Sequence, residues 1–450
     1  MSKPAPIINN AQQDTLSDDD NLNYATLTDA LEQTLFENFD DGLYVGMMSG
    51  TSLDGMDAVL CRFNNDENNT SAPMTLLATY SQDFPLRLRE VLMALCQPNG
   101  IKDLIPQNNE PSSEPKSELD WFGWASRVYG EFASEVVNKL LQQADIDAEN
   151  VLAIGCHGQT VRHRPHMGYT LQLLDANMIA ERTGISVVSD FRRRDMAVGG
   201  QGAPLVPAFH QALFADANTT RIMLNLGGIA NIAVLPATNI NADGRTEQQV
   251  VGYDTGPANL LLDAWTLLHT GKHYDTAGAW AQSGHVIAPL LNQLLMSHAF
   301  FAKDYPKSTG REDFNLAWLQ EELQTFDTHS SDTRYSSADV QATLTELTAV
   351  TASNQIRQFT KSEDTATENE TAEVYVCGGG ALNSYLMARL QAHLPHCKVT
   401  TTASLGLEPT WVEAVAFAWL ARQTLMGETG NLPAVTGANK SVVLGQVCFA

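Results

Sequence analysis

Two short apolar runs, residues 43–48 and 56–60, enclose the polar stretch Ser49-Gly50-Thr51-Ser52-Leu53-Asp54-Gly55. Runs of this length that close on Asp-Gly predict a β-hairpin. The tip has more hydroxyls and small residues than a turn needs. Gly50 and Gly55 let backbone N–H groups approach an anion without an intervening Cβ. Thr51 and Ser52 add hydroxyl donors, and Asp54 and Asp57 are placed to face a metal travelling with that anion, with Asp54 as the expected ligand. A plain turn cornered on Asp54-Gly55 is the simpler alternative. The pattern recurs once, in Leu224-Asn225-Leu226-Gly227-Gly228-Ile229-Ala230-Asn231-Ile232-Ala233-Val234, again two apolar runs around a glycine tip. Two such hairpins predict a duplicated domain with two phosphate-facing tips, although a plain Gly-Gly turn also fits the second alone.

Between and beyond them, strand and helix patterns alternate. Residues 117–143 read as helix and 151–156 as a buried strand. A second strand, 185–189, ends at Asp190, and residues 259–269, 383–394 and 408–423 read as helices. Such alternation implies α/β layers whose sites lie at the strand ends. Asp254 or Thr255 is expected to cap the helix after Gly252-Tyr253-Asp254-Thr255-Gly256-Pro257. The run Gly378-Gly379-Gly380 between a strand at 374–376 and a helix offers bare backbone on which an adenosine can lie. A Gly-x-x-x-x-Gly-Lys-Ser/Thr loop, a dinucleotide fingerprint after the first strand and the protein-kinase sequence set are all absent.

Asp190 precedes Phe191-Arg192-Arg193-Arg194-Asp195 and the glycine loop Gly199-Gly200-Gln201-Gly202-Ala203-Pro204. A carboxylate at a strand end beside such a loop is a candidate general base. The alternative is a turn or cap aspartate followed by a solvated arginine face. His157 and Gln159, with Arg162, His163 and Arg164 nearby, offer donors for sugar hydroxyls, an amide or a carboxylate. Glu413 lies in an otherwise apolar helix, either as a satisfied helix carboxylate or as a sugar-binding group. Cys156 reads as core.

At 450 residues the chain exceeds one core, and its 44% hydrophobic content suits a globular protein. With 52 acidic against 27 basic residues the formal charge is −25. That opposes binding to nucleic acid or anionic membranes, so an anionic ligand needs a local positive site. No apolar run reaches the roughly 20 residues of a membrane span. The polar N-terminus has no leader pattern, so the cytoplasm is the expected location. Six well-separated cysteines without a Cys-x-x-Cys pair predict reduced thiols. Residues 1–20 read as disordered, 24–35 as a short amphipathic helix, and 107–118, 328–337 and 361–371 as polar surface insertions.

Together the segments 46–55, 155–160, 190–195, 199–204, 224–231, 253–257 and 378–383 resemble the 1,6-anhydro-N-acetylmuramic acid kinases, in family order over about 43–448. The resemblance implies an α/β, two-lobed actin-like ATPase fold of the sugar kinase/Hsp70 type, with the nucleotide cleft between lobes. The expected division is an acidic extension 1–42, a first lobe 43–205 and a second lobe 206–450, with the last helix near the interlobe hinge. The resemblance further implies an ATP loop on Gly50, Thr51, Ser52, Leu53, Asp54, Gly55, Met56 and Asp57. The remaining nucleotide contacts are expected from Asn225, Gly227, Gly228, Gly378, Gly379 and Gly380. Mg²⁺ is the implied metal, Asp190 the catalytic residue, and His157, Gln159 and Glu413 the expected sugar contacts. The implied reaction opens the anhydro ring with water and phosphorylates O6. Two alternatives stay open: a kinase for another anhydro sugar such as levoglucosan, and a non-catalytic actin-like ATP-binding protein. Oligomeric state is left open, with a homodimer as one assembly.

Overall fold

The computed structural model describes residues 39–50, 53–64, 73–104, 115–237, 249–329, 334–360 and 372–450. The expectations for 1–20, 24–35 and 361–371 lie outside the described residues, as do parts of 107–118 and 328–337. Thr51 and Ser52 lie outside them too.

Thirteen strands are described. They are β1 (Gly42–Met48), β2 (Gly55–Phe63), β3 (Met74–Asp83), β4 (Val151–Cys156), β5 (Gln159–Arg164), β6 (Tyr169–Leu173), β7 (Val187–Ser189), β8 (Arg221–Leu226), β9 (Ile229–Leu235), β10 (Val251–Pro257), β11 (Glu373–Cys377), β12 (Lys398–Thr401) and β13 (Gln446–Cys448). The first sheet has the order β13-β7-β4-β1-β2-β3, the second β10-β9-β8-β11-β12, and β5-β6 form a separate hairpin. In the first sheet β1, β2 and β3 are antiparallel neighbours, while β4 and then β7 extend it in parallel. In the second, β8, β9 and β10 are antiparallel neighbours, while β11 and then β12 extend it in parallel. One plan is therefore built twice, an antiparallel meander continued by two parallel strands. This is the duplication expected from the two glycine-tipped hairpins, in a mixed α/β fold of two like sheets.

Each sheet needs cover on both faces. The outer face of the first packs on the helices Leu86–Cys96, Glu118–Ala144 and Ala176–Thr183, through Leu92, Trp121, Tyr129, Val137 and Ile179. The outer face of the second packs on Ser337–Ile356 and Ser384–His393, through Ala349, Ile356 and Leu390. Between the sheets lies one shared core. Tyr44, Val59 and Ala153 from the first sheet and Met223, Ala233 and Tyr375 from the second meet Val415, Phe417 and Trp419 of the helix Val412–Leu425.

That helix sits unusually close to the first sheet. Gly46 of β1 and Gly155 of β4 are register partners. A Cβ at Gly46 would lie 2.0 Å from the Ala414 carbonyl oxygen, and one at Gly155 2.0 Å from that of Phe417. Two adjacent strands thus lack side chains where the helix crosses them, and Ala414, Ala418 and Ala421 supply small residues from its side. The helix starts at Val412 rather than 408 because Pro409–Trp411 forms a separate 3₁₀ turn. The chain then returns to the first sheet. The Gln201 N–H donates to the Thr436 carbonyl at 2.8 Å, and the Asn439 N–H to the Val198 carbonyl at 2.8 Å. β13 finally pairs antiparallel with β7.

All six cysteines are free, and no helix among the described residues is long and apolar enough to cross a membrane. Gly155→Ala is expected to lower unfolding stability by about 1–3 kcal/mol through overpacking against the helix backbone. Urea denaturation measures this, and an unchanged midpoint would show that the seam relaxes freely.

Candidate active site

The first hairpin is registered so that Met48 faces Asp57, and the chain reverses between them. Ser49 anchors one side: its hydroxyl meets the Tyr129 hydroxyl at 2.9 Å and reaches the Gly158 carbonyl at 3.5 Å. Leu53 has φ +60 yet is buried, as is Met56, so these two residues offer only backbone to a ligand. Asp54 is exposed and receives the Arg89 guanidinium at 2.8 Å. Asp57 accepts from the Ser81 hydroxyl at 2.7 Å, and burial raises its pKa. Gly55 is required by packing rather than by an anion, because a Cβ there would meet the Gln82 carbonyl oxygen at 2.4 Å.

The second hairpin turns through Gly227-Gly228. Their carbonyls accept the Asn259 N–H at 3.1 Å and the Ala258 and Leu260 N–H groups at 3.0 and 3.1 Å, which fixes the tip on the start of the helix Asn259–Thr270. A Cβ on Gly227 would meet nothing nearer than 3.6 Å, and one on Gly379 nothing nearer than 3.7 Å, so packing does not require glycine at either position. Gly378 and Gly380 are the opposite case. Gly378 has φ +78, and a Cβ would lie 2.4 Å from Asn225 Oδ1; at Gly380 it would lie 2.5 Å from Leu226 Cβ. These two glycines seat β11 against β8.

Asp254 and Thr255 do not cap the following helix, contrary to expectation. Ala258 occupies that position without a side-chain bond. Asp254 instead accepts from the Ser308 hydroxyl and the Thr309 N–H, at 2.9 and 3.0 Å, and burial raises its pKa to about 6. Thr255 donates to the Ala230 carbonyl at 3.3 Å. Arg162 is also no free donor: it binds the Leu95 and Gln97 carbonyls and Glu118, closing the end of the Leu86–Cys96 helix.

Asp190 stands at the end of β7 with φ 56 and ψ 43, before the helix Phe191–Ala197. Its carboxylate makes no cap bond. It is clamped by Arg193, at 2.7 Å from Nε and 2.5 Å from Nη2. A non-glycine residue in this left-handed region is costly and is held there by its surroundings. The other arginine turns inward: Arg192 donates to His157 Nε2 at 2.9 Å and to the Gly202 carbonyl at 2.8 Å. Opposite it stands Glu413, whose pKa is raised by burial and lowered by the Arg192 charge. Asn225 of β8, in the second sheet, donates to Glu413 at 3.4 Å, so this carboxylate stands between Arg192 and the second sheet.

Several buried polar atoms of this region have no hydrogen-bond partner among the described residues: His157 Nδ1, Gln159 Oε1 and Asn225 Oδ1. Orphaned buried polar atoms ask for a ligand or water, and these three belong to residues expected from sequence to bind one.

Three groups escaped the sequence reading. Asp195 is wholly buried and accepts from the Gly202 N–H, Asn431 Nδ2 and the Thr436 hydroxyl, at 2.8, 2.7 and 2.7 Å. The loop Lys307-Ser308-Thr309 grips Asp254, as described above. Asp263 in the helix Asn259–Thr270 has its pKa raised to about 7 by burial and by the charges of Asp54 and Asp275. No local sequence spacing marks these residues, since most of their partners lie far along the chain. Asp195→Ala is expected to destabilise the protein by roughly 3 kcal/mol, because three buried donors lose their acceptor. A denaturation midpoint equal to wild type would contradict the buried network.

A family model described as anhydro-N-acetylmuramic acid kinase matches residues 42–450. An anhydro-N-acetylmuramic acid kinase from Psychrobacter arcticus is 74% identical over 446 residues, covering 96% of this chain and 100% of that protein. One from Shewanella pealeana is 46% identical over 408 residues, covering 90% and 98%. Among solved structures, the activator of 2-hydroxyisocaproyl-CoA dehydratase from Clostridium difficile with bound ADPNP is similar at TM-score 0.36 and 11% identity, over 85% of this chain and 95% of that one. A ROK family glucokinase from Streptomyces griseus in complex with glucose and AMPPNP is similar at TM-score 0.34 and 13% identity, over 85% and 100%. The chain belongs to the anhydro-N-acetylmuramic acid kinase family.

Proposed function

We propose that this chain opens 1,6-anhydro-N-acetylmuramic acid with water and transfers the ATP γ-phosphoryl group to O6, giving N-acetylmuramic acid 6-phosphate and ADP. Such a reaction returns a peptidoglycan sugar to metabolism, and the cytoplasm is where this reading places it. ATP lies between the two glycine hairpins, against Gly50 to Asp57 on one side and Asn225, Gly227, Gly228 and Gly378–Gly380 on the other. His157, Gln159 and Glu413 take the sugar.

The observation that carries the reading is Asp190: a carboxylate set at a strand end in a strained conformation, not spent on capping, and held by Arg193. An anhydro bridge has no hydroxyl at O6, so an ordinary kinase base has no proton to remove there. The proton must come from water. Inverting glycosidases place a carboxylate far enough from the anomeric carbon to leave room for that water. Asp190 takes the proton as the water oxygen bonds to C1. The C1–O6 bond breaks, and O6 forms its bond to the γ-phosphorus as the bond to the ADP oxygen breaks. Backbone donors at the two tips hold the developing phosphate charge.

The residues also suit a divalent cation. The Asp263 carboxyl is pushed up to about 7, first by burial and then by the charges of Asp54 and Asp275, and a cation beside it relieves that repulsion. Asp54 and Asp263 would hold Mg²⁺, which when bound supplies charge neutralisation at the phosphates.

Asp190→Asn is expected to abolish turnover while ATP affinity, read by calorimetry, stays near wild type; retained turnover would refute the base. In ¹⁸O-water the wild-type product should carry label at C1, and its absence there would refute water attack at that carbon.

A further inference from the structure

His157 is held by only one of its two nitrogens. Nε2 receives the Arg192 Nε–H at 2.9 Å, while Nδ1 is buried and forms no full hydrogen bond among the described residues, the Gly158 backbone lying close enough to the ring to favour its protonation. The ring itself is fixed: His157 is buried, and its face lies 4.7 Å from the Phe417 ring, on the helix that crosses the glycine seam. A guanidinium has five N–H donors and no acceptor. The nitrogen facing Arg192 must therefore carry its lone pair, and a neutral imidazole then keeps its single hydrogen on Nδ1.

The alternatives are closed from several sides. A doubly protonated ring would set an Nε2–H against the Arg192 N–H. Burial and the Arg192 charge both drive the His157 pKa well below its usual value. Arg192 in turn cannot swing away easily, since its Nη1 donates to Gly202 and its charge faces Glu413 and Asp195. Gly158 follows with φ +75, turning the chain toward Gln159, whose Oε1 is also unpartnered.

We propose that Arg192 is a positioning residue that fixes His157 as the Nδ1–H tautomer, so that His157 gives the sugar one hydrogen bond from Nδ1 and accepts none. The proposal rests on the reading that His157 contacts the sugar. The recognised group is an oxygen with a lone pair, such as an ether, carbonyl or carboxylate, and not a donor N–H. A site of this kind discriminates against ligands that place a donor there, because two donors would then meet in a buried position.

Two measurements separate the parts. With ¹⁵N-histidine labelling of the full chain, the His157 resonances, assigned by their loss in His157→Asn, should show a protonated-type Nδ1 and a lone-pair-type Nε2 from pH 6 to 8. Arg192→Met should mix the tautomers, and Arg192→Lys, which restores one donor, should recover the single form. A protonated Nε2 in the wild-type protein would overturn the assignment. Steady-state kinetics then test the donor. Asparagine places an amide N–H near the position of Nδ1, whereas glutamine places its amide near Nε2. His157→Gln is expected to raise the sugar KM by about tenfold, as for one lost hydrogen bond, and His157→Asn by less than about threefold, both with the KM for ATP unchanged. Equal effects of the two variants would overturn the donor role. Wild-type KM values in both would overturn the placement of His157 at the sugar, a failure that the resonance pattern keeps distinct from a wrong tautomer.

Discussion

Much of this molecule depends on how closely one helix backbone approaches two strands. Where Val412–Leu425 crosses β1 and β4, Gly46 and Gly155 leave 2.0 Å between a hypothetical Cβ and the helix carbonyls, room for no side chain. That approach makes a single core of two sheets: the helix packs on the first while its flanks meet Met223 and Tyr375 of the second. It also sets the depth at which Glu413 enters, one turn before Phe417. Through Glu413 the helix sets a carboxylate in the field of the Arg192 charge and accepts a bond from Asn225. Packing geometry and site geometry here have the same origin.

The site is organised around charges that only long-range folding brings together. Arg192 reaches His157 of another strand-end loop, and Asp195, one helical turn later, collects donors from Gly202, Asn431 and Thr436. The helix that begins after Asp190 is therefore pinned on its inner face by two charged residues, while Arg193 clamps Asp190 from the outside. Such a frame orients the Asp190 carboxylate through its ion pair with Arg193. Tyr129, Ser49 and Gly158 form a second frame, joining the first hairpin tip to the loop that carries His157 and Gln159.

The two hairpins were legible because a two-residue Gly-Gly turn and an Asp-Gly corner between apolar runs are local signals, and their repetition implied the duplicated sheet. The strand at 151–156 was legible for the same reason, since a buried parallel strand is a continuous apolar run. What local reading missed was set by partners distant in sequence. Gly46 and Gly155 look like ordinary strand residues until the last helix lies over them. Asp254 looks like a cap residue, but the loop at 307–309 takes its carboxylate. Of the glycines expected to cradle nucleotide, Gly55, Gly378 and Gly380 are demanded by packing, whereas Gly227 and Gly379 have room for a side chain at ordinary contact distance. Sequence alone does not tell these two uses of glycine apart, because both depend on what stands opposite the missing Cβ.

The central claim is that both lobes serve one sugar-coupled phosphoryl transfer. Its most direct test is ADP release by the purified full chain with ATP and Mg²⁺, measured without sugar, with levoglucosan, and with 1,6-anhydro-N-acetylmuramic acid. The account predicts release that depends on the anhydromuramic sugar and is far weaker with levoglucosan, which lacks the N-acetyl and lactyl groups. ADP release indifferent to added sugar, or ATP binding with no turnover on any of them, would contradict it.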